Sequence, residues 1–92
     1  MEALERTFTI VNRLGLHARA AARLVQTANR FQSEISVSRN GQNANAKSIM
    51  GVLMLAAAQG STVAVRTDGA DGAEAMEAIG ALIESGFGED TG

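Results

Sequence analysis

Hydrophobic and polar residues alternate near the start of the chain and then take up a different period. The alternation covers residues 6–11 and predicts a strand with one buried and one exposed face. From residue 18 the apolar positions recur every three or four residues, which predicts a helix over 18–30 with a buried stripe. The period changes at His17, the only histidine. The strand residues are Phe8 and Ile10 on the buried face with Thr7 and Thr9 opposite, and the helix stripe is Ala21, Leu24, Val25 and Ala28.

Three further segments have the pattern of strands. Residues 34–39 alternate apolar and polar side chains, and Asn40-Gly41 follows directly. Both central residues of a type I′ turn need positive φ, so this dipeptide predicts a hairpin. A short polar strand over 42–46 is then expected to pair back at an edge of the sheet. A fourth strand is predicted over 61–67, where two valines alternate with polar residues.

Two further helices are indicated by capping residues and apolar spacing. Ser48 can act as the N-cap of a short helix over 49–57. Asp71 with Glu74 forms a capping-box pattern at the start of the last helix. The dipeptide Gly86-Phe87 is predicted to end that helix, with the glycine at C′ and the ring folded back onto the last turn. The buried stripe of the last helix is predicted to be Met76, Ile79, Gly80 and Ile83.

The elements therefore follow the order β-α-β-β-α-β-α. Ninety-two residues are enough for one core, so we expect a single domain over 1–92. This order suits the α+β class, with an antiparallel sheet and its helices packed on one face. The pattern alone also allows a ferredoxin-like or other split arrangement.

Composition narrows the classes of function. The chain is 46% hydrophobic and 20% charged, as in globular proteins. A net charge of −2 argues against nucleic acid as the main partner, and the lack of cysteine excludes disulfides and thiol chemistry. The acidic N-terminus does not resemble a signal peptide, and the apolar run over 49–58 is half the ~20 residues that a membrane span needs. We therefore expect a cytoplasmic protein without a membrane segment.

The predicted position of His17 suggests a chemistry. The first N–H groups of a helix have no intrahelical partner, and with the helix dipole they form an anion site. Arg19 adds a charged donor in the first turn. A nucleophilic imidazole beside such a site could carry a phosphoryl group. The alternative is that His17 is an ordinary cap or surface residue.

Two motifs resemble a known family. Gly15-Leu16-His17-Ala18-Arg19, followed by Ala21 and Ala22, resembles the active-site signature of the histidine-containing phosphocarrier proteins. These are the HPr-like carriers of the phosphoenolpyruvate-dependent phosphotransferase system. The segment Lys47-Ser48-Ile49-Met50-Gly51-Val52 resembles the second, regulatory signature of that family. The resemblance implies an open-faced β-sandwich of four strands and three helices.

The resemblance also implies roles for the residues around the histidine. The phosphoryl group would be carried on Nδ1 of His17, with Arg19 as its electrostatic partner and the N–H groups of Ala18 and Arg19 as a phosphate cradle. Such a protein is a stoichiometric carrier and not a turnover enzyme. It needs no cofactor, and a single histidine without cysteine argues against a metal site. We expect a monomer.

The second helix is apolar almost all the way round, which predicts an exposed patch. By resemblance this patch, together with Arg23, would dock enzyme I as phosphate donor and IIA-type proteins as acceptors. Ser48 has two interpretations, a plain N-cap or a regulatory site for a serine kinase/phosphorylase. Val52, Leu55 and Ala56 are expected in the core, and Ile49, Met50, Leu53 and Met54 in the patch.

The sequence departs from the family pattern at one position and leaves alternatives open. Ala20 stands where many members have proline, which would make the first helical turn less rigid. Residues 12–15 and the tail over 82–90 resemble the nitrogen-related branch, whereas 47–52 resembles the sugar-related carriers. The rival functions are a non-relaying regulatory module of the same fold and an unrelated small α/β interaction protein.

Overall fold

Four antiparallel strands form one sheet, and three helices pack on one of its faces. A computed structural model describes residues 3–90 of the chain. The strands lie in the order β1-β4-β2-β3, so the short polar β3 is at an edge, as predicted. The elements are β1 (Leu4–Thr9), α1 (Ala18–Ala28), β2 (Glu34–Arg39), β3 (Gln42–Asn45), α2 (Ile49–Met54), β4 (Thr62–Asp68), α3 (Gly72–Glu84) and a short 3-10 turn (Gly86–Gly88). The predicted α+β open-faced sandwich is confirmed.

The core lies between the sheet and the helices. Each strand places alternate side chains on the helix-covered face, because side chains in a strand alternate between its two faces. Phe8 and Ile10 are buried while Thr7 and Thr9 are exposed, as predicted. Helices α1 and α3 contribute the stripes expected from their periods, except that Val25 is only partly buried. None of the helices within residues 3–90 is long and apolar enough to cross a membrane.

The hairpin between β2 and β3 has the predicted turn. Asn40 and Gly41 have φ of 52° and 81°, the two positive values that a type I′ turn requires. Arg39 pairs directly with Gln42 across the two-residue loop. The Asn-Gly dipeptide therefore sets the register of this edge of the sheet.

Several element ends differ from the prediction. Strand β1 begins and ends two residues earlier than expected, and α1 and α2 end at Ala28 and Met54 instead of at 30 and 57. Helix α2 stops because Ala56 has a positive φ of 50°, which no helix can continue through. Ala56 is therefore exposed, and the expectation that it lies in the core was wrong. Val52 and Leu55 are buried as expected.

The prediction of a capping box at the start of the last helix was also wrong. Within residues 3–90 the carboxylate of Asp71 caps none of the N–H groups of α3. It instead accepts hydrogen bonds from the backbone N–H groups of Gln32 and Ser33, each at 2.9 Å, and from the Ser33 hydroxyl. The Ser33 hydroxyl contributes most to lowering the pKa of Asp71. Asp71 thus joins the start of α3 to the segment before β2.

Candidate functional site

The loop before α1 is held against the segment that follows α2. Gly15 has a positive φ of 66°, and a Cβ atom on it would lie 2.4 Å from the carbonyl oxygen of Ala57. The next residue, Leu16, donates its N–H to that same oxygen at 2.9 Å. A side chain at position 15 would therefore both strain the backbone and collide with it. The glycine of the signature allows the close packing that sets the position of His17.

His17 is the N-cap of α1, as the sequence predicted. Its backbone is extended, with φ −78° and ψ −178°, and its carbonyl oxygen accepts the N–H of Ala21 at 2.8 Å. The ring nitrogen Nδ1 accepts the N–H of Arg19 at 3.3 Å. The Arg19 N–H assigned to a phosphate cradle is thus bonded to the ring. The side chain of His17 retains 27% of its exposure, which leaves the ring accessible at one side.

The other ring nitrogen of His17 faces a carboxylate. Nε2 lies 2.8 Å from both side-chain oxygens of Glu89. Because Nδ1 accepts a backbone N–H, this network assigns the ring hydrogen to Nε2, which donates it to Glu89. The lone pair of Nδ1 therefore points towards the start of α1. This is the nitrogen that the resemblance designates as the phosphate carrier.

Glu89 is held by a second donor. The side-chain amide of Asn12 donates from Nδ2 to Oε1 of Glu89 at 3.0 Å and to the carbonyl oxygen of Gly15 at 2.8 Å. Asn12 is fully buried, and Glu89 retains only 11% of its side-chain exposure. The hydrogen bond from His17 is the main cause that lowers the pKa of Glu89, and the bond from Asn12 and the charge of Arg19 act in the same direction. The carboxylate is thus kept ionised beside the imidazole.

Residues 86–90, called the chain end below, reach this site because contacts other than the Glu89 side chain hold their backbone. Phe87 is buried to 1% exposure, and its carbonyl oxygen accepts a hydrogen bond from the guanidinium of Arg23. The N–H of Arg13 donates to the carbonyl oxygen of Asp90 at 2.8 Å, and the two side chains form an ion pair at 3.6 Å. Gly86 at C′ has a positive φ of 70° and Phe87 folds back, as predicted. These contacts carry Glu89 to His17.

A cleft of about 290 Å³ lies between the chain end and the start of α1. Three arginines and two acidic residues line it, and one of these arginines, Arg13, is ion-paired with Asp90. Arg19 is exposed, whereas Arg23, expected in the docking surface, is half-buried by its bond to Phe87. The cleft is lined by Arg13, Leu14, Arg19, Arg23, Gly88, Glu89 and Asp90.

Helix α2 presents the apolar patch that the sequence predicted, with one change. Ile49, Met50 and Met54 are exposed to 40%, 65% and 66%. Leu53 is only partly exposed, because it packs against the core. Ser48 is the N-cap of α2, and its Oγ accepts the N–H of Gly51 at 3.2 Å. The plain capping role of Ser48 is therefore present.

The structure brings His17, Ala18 and Arg19 together at the start of α1, with Arg23 one turn later. Sequence reasoning missed Glu89 and Asn12. Glu89 follows the histidine by 72 positions, and no local period connects them. The one available signal was an acidic pair at the chain end in a protein with a single histidine. No group of three or more His, Cys, Asp or Glu residues in the described 3–90 range is placed to hold a metal ion.

Comparison with known proteins decides the family. The family model described as "PTS HPr component phosphorylation site" matches residues 4–85. The chain belongs to the HPr family. It is 59% identical over 86 residues to "Phosphocarrier protein HPr" of Cupriavidus necator, covering 94% of this chain and 97% of that protein. Its phosphocarrier function in the phosphotransferase system follows from this membership.

Two further relatives complete the comparison. The crystal structure of HPr-C-His from Thermoanaerobacter tengcongensis superimposes with a TM-score of 0.91 at 48% identity, covering 95% of this chain and 98% of that one. "Phosphocarrier protein NPr" of Shewanella violacea is 43% identical over 89 residues, covering 97% of this chain and 98% of that protein. The open-faced sandwich is thus the architecture of a solved HPr structure.

Proposed function

We propose that His17 carries the phosphoryl group on Nδ1, receiving it from phosphorylated enzyme I and passing it to IIA-type acceptors. One observation carries this assignment: Nδ1 of a partly exposed ring at the start of α1 accepts the N–H of Arg19, which assigns the ring hydrogen to Nε2. The ring is neutral and nucleophilic in this tautomer.

The transfer needs only one bond to form and one to break. The lone pair of Nδ1 forms the P–N bond, while the bond between phosphorus and the donor breaks and its electron pair stays with the donor. The N–H of Arg19, now 3.3 Å from Nδ1, then becomes a donor to a phosphoryl oxygen. The N–H of Ala18 and the exposed Arg19 guanidinium supply further positive charge.

The strength of this site suits a carrier. A helix N-terminus stabilises an exposed anion by ~0.3–1 kcal/mol, and one charge-assisted hydrogen bond adds ~1.5–3 kcal/mol. Interactions of this size hold a phosphoryl group without trapping it. The protein is therefore a stoichiometric phosphoryl carrier and not a turnover enzyme.

The docking surface lies on α2 beside the arginines of α1. The two helices pack against each other, and Ile49, Met50 and Met54 are exposed on α2. Methionine adapts to more than one partner because its side chain is flexible and polarizable. Arg23 contributes its charge from a fixed position, since it is bonded to Phe87. A partner with an apolar groove and an acidic rim would complement this surface.

Ser48 lies within the same surface and is proposed as its regulatory site. A phosphate on Oγ would add roughly −1.5 to −2 charges next to Ile49 and Met50. The start of α2 tolerates an anion, but an acidic partner would be repelled. Incubation with a serine kinase that recognises the regulatory signature should phosphorylate Ser48. The modified protein should then accept the phosphoryl group from enzyme I more slowly. The absence of phosphoserine, or undiminished transfer, would exclude this regulation.

The choice of acceptor is proposed from the relatives. Identity is greater to the HPr of C. necator, at 59%, than to the NPr of S. violacea, at 43%. This difference favours the sugar-related branch over the nitrogen-related one. Parallel assays with IIA domains of both branches would separate them.

Incubation with phosphoenolpyruvate and enzyme I tests the carrier function. The expected product has one phosphate that is lost in acid and stable in base, as for phosphohistidine. His17→Ala should accept none, whereas Ser48→Ala should accept the normal amount. Acid-stable phosphate, or equal incorporation into His17→Ala, would contradict the assignment.

A further inference from the structure

We propose that Glu89 is a positioning residue for phosphoryl transfer: it fixes the Nε2–H tautomer of His17, and Asn12 holds its carboxylate in place. This inference rests on the proposed carrier role of His17. It adds a function for the chain end, which the sequence signatures do not cover.

The geometry supports a tautomer lock. Both oxygens of Glu89 lie 2.8 Å from Nε2, so whichever oxygen accepts, a hydrogen on Nε2 has a charged acceptor. The opposite tautomer would place an N–H on Nδ1 against the N–H of Arg19 and leave Nε2 without a hydrogen facing a carboxylate. With only 11% of the Glu89 side chain exposed, water competes weakly for this bond.

A carboxylate at Nε2 acts on the reaction in both directions. When Nδ1 bonds to phosphorus, the ring gains positive charge, and an ionised Glu89 next to Nε2–H stabilises it, as a triad carboxylate does for an imidazolium. When the P–N bond breaks, its electron pair returns to Nδ1. Because Nε2 has kept its hydrogen, the group that leaves is neutral imidazole and not an imidazolate anion. No proton moves in either step.

Asn12 holds the carboxylate of Glu89 in position. Its Nδ2 bridges Glu89 and the carbonyl oxygen of Gly15, so one buried amide connects the chain end to the loop that carries His17. The Oδ1 of this fully buried residue has no hydrogen-bond partner among residues 3–90. Within this range the side-chain hydrogen bonds of Asn12 are therefore both made by Nδ2, one to Glu89 and one to Gly15.

Removing the Glu89 side chain should leave the chain end in position. The backbone here is held by the N–H of Glu89 itself on the carbonyl oxygen of Gly86 at 2.9 Å, by the Arg13–Asp90 backbone bond and by the buried ring of Phe87. Variants at position 89 therefore test the carboxylate and not the fold. The matched control is Glu84→Ala, which removes an exposed acid at the end of α3.

The test combines nitrogen NMR of the His17 ring with transfer kinetics. In its neutral form, the His17 ring of the wild type should show a hydrogen on Nε2 and none on Nδ1. Glu89→Ala should raise the Nδ1–H fraction several-fold and slow transfer from enzyme I roughly tenfold or more, by analogy with carboxylates that orient metal-ligating histidines. Glu89→Gln keeps an acceptor oxygen without the charge, so it should restore the tautomer but not the full rate.

An unchanged tautomer ratio in Glu89→Ala would overturn the proposal, and so would equal slowing by Glu84→Ala. The NMR readout does not depend on phosphorylation. A wild-type protein that shows the tautomer lock but accepts no phosphate would therefore disprove the carrier function and not the role of Glu89 in the ring tautomer.

Discussion

Nε2 of His17 lies 2.8 Å from the carboxylate oxygens of Glu89, a residue 72 positions later in the chain. This contact joins the start of the first helix to the end of the described chain. It leaves the other ring nitrogen, Nδ1, with a lone pair directed at the helix N-terminus. The proposed nucleophile and its proposed anion site therefore already lie side by side at the start of α1.

Acidification should remove the contribution of Glu89 to stability. The hydrogen bond from His17 lowers the pKa of Glu89 below its ordinary value of 4.5. A carboxyl group whose pKa is lower in the folded state stabilises that state above its unfolded-state pKa, and the stabilisation is lost as pH falls through the folded-state value. Urea denaturation should therefore show the wild type more stable than Glu89→Gln at neutral pH, with the difference vanishing well below pH 4.5.

The other titratable or charged groups near Glu89 are present in both proteins of that comparison. They are His17 and Arg19 at the start of α1 and the Arg13–Asp90 pair. The difference between wild type and variant therefore isolates position 89. A stability difference that stayed constant across the whole range would show that the ionised carboxylate contributes nothing.

Gly15→Ala should destabilise the loop that carries His17. The new Cβ atom would lie 2.4 Å from the Ala57 carbonyl oxygen at a backbone φ of +66°. The positive φ alone costs about 1–3 kcal/mol, and the collision should add to that loss, which urea denaturation measures. Gly60→Ala is the matched control, because Gly60 also has positive φ, at +91°, but a Cβ atom added there would meet nothing within 4 Å. Equal losses in the two variants would mean that backbone conformation alone, and not the collision, sets the cost.

Phe87→Ala should both lower stability and release Glu89. The ring is buried to 1% exposure, and removing such a ring costs about 3–5 kcal/mol. Because Phe87 anchors the chain end, we also expect the Nδ1–H tautomer of His17 to become more populated, as in Glu89→Ala. Phe87→Leu retains most of the apolar contact and should keep the wild-type tautomer. If Phe87→Ala were destabilised but its His17 tautomer ratio were unchanged, the chain end would stay in place without the Phe87 ring.

Met50→Glu and Met54→Glu should weaken docking without unfolding the protein. Both side chains are about two-thirds exposed, at 65% and 66%, so stability should stay within about 0.5 kcal/mol. An acidic partner surface would repel the new charges. The KM of enzyme I for this carrier as its substrate should therefore rise several-fold. Leu4→Glu, on the opposite edge strand β1, is the control and should leave KM unchanged. Equal KM values for all three variants would show that the docking surface does not lie on α2.

Local patterns were enough to predict most of the fold. The alternation around Phe8 and Ile10, the Asn40-Gly41 turn and the cap at Ser48 each depend on a few neighbouring residues, and each is present in the structure. His17 was placed at the N-cap for the same reason, because a change of hydrophobic period marks where a helix begins.

Contacts between distant residues were not predictable in this way. Asp71 has a local capping pattern with Glu74, yet its carboxylate bonds to Gln32 and Ser33, which only the folded chain brings near. Glu89 reaches His17 for the same reason, through the burial of Phe87. The candidate site therefore combines a histidine whose N-cap position is set by local sequence with a carboxylate that only the tertiary fold brings to it.

Nitrogen-15 NMR of the protein phosphorylated by enzyme I would show which ring nitrogen of His17 carries the phosphoryl group. We expect phosphorus bonded to Nδ1 and a hydrogen retained on Nε2, both seen in the ring couplings. Phosphorus on Nε2, or a ring unchanged while phosphate is found on another residue, would contradict the assignment of Nδ1 as the nucleophile.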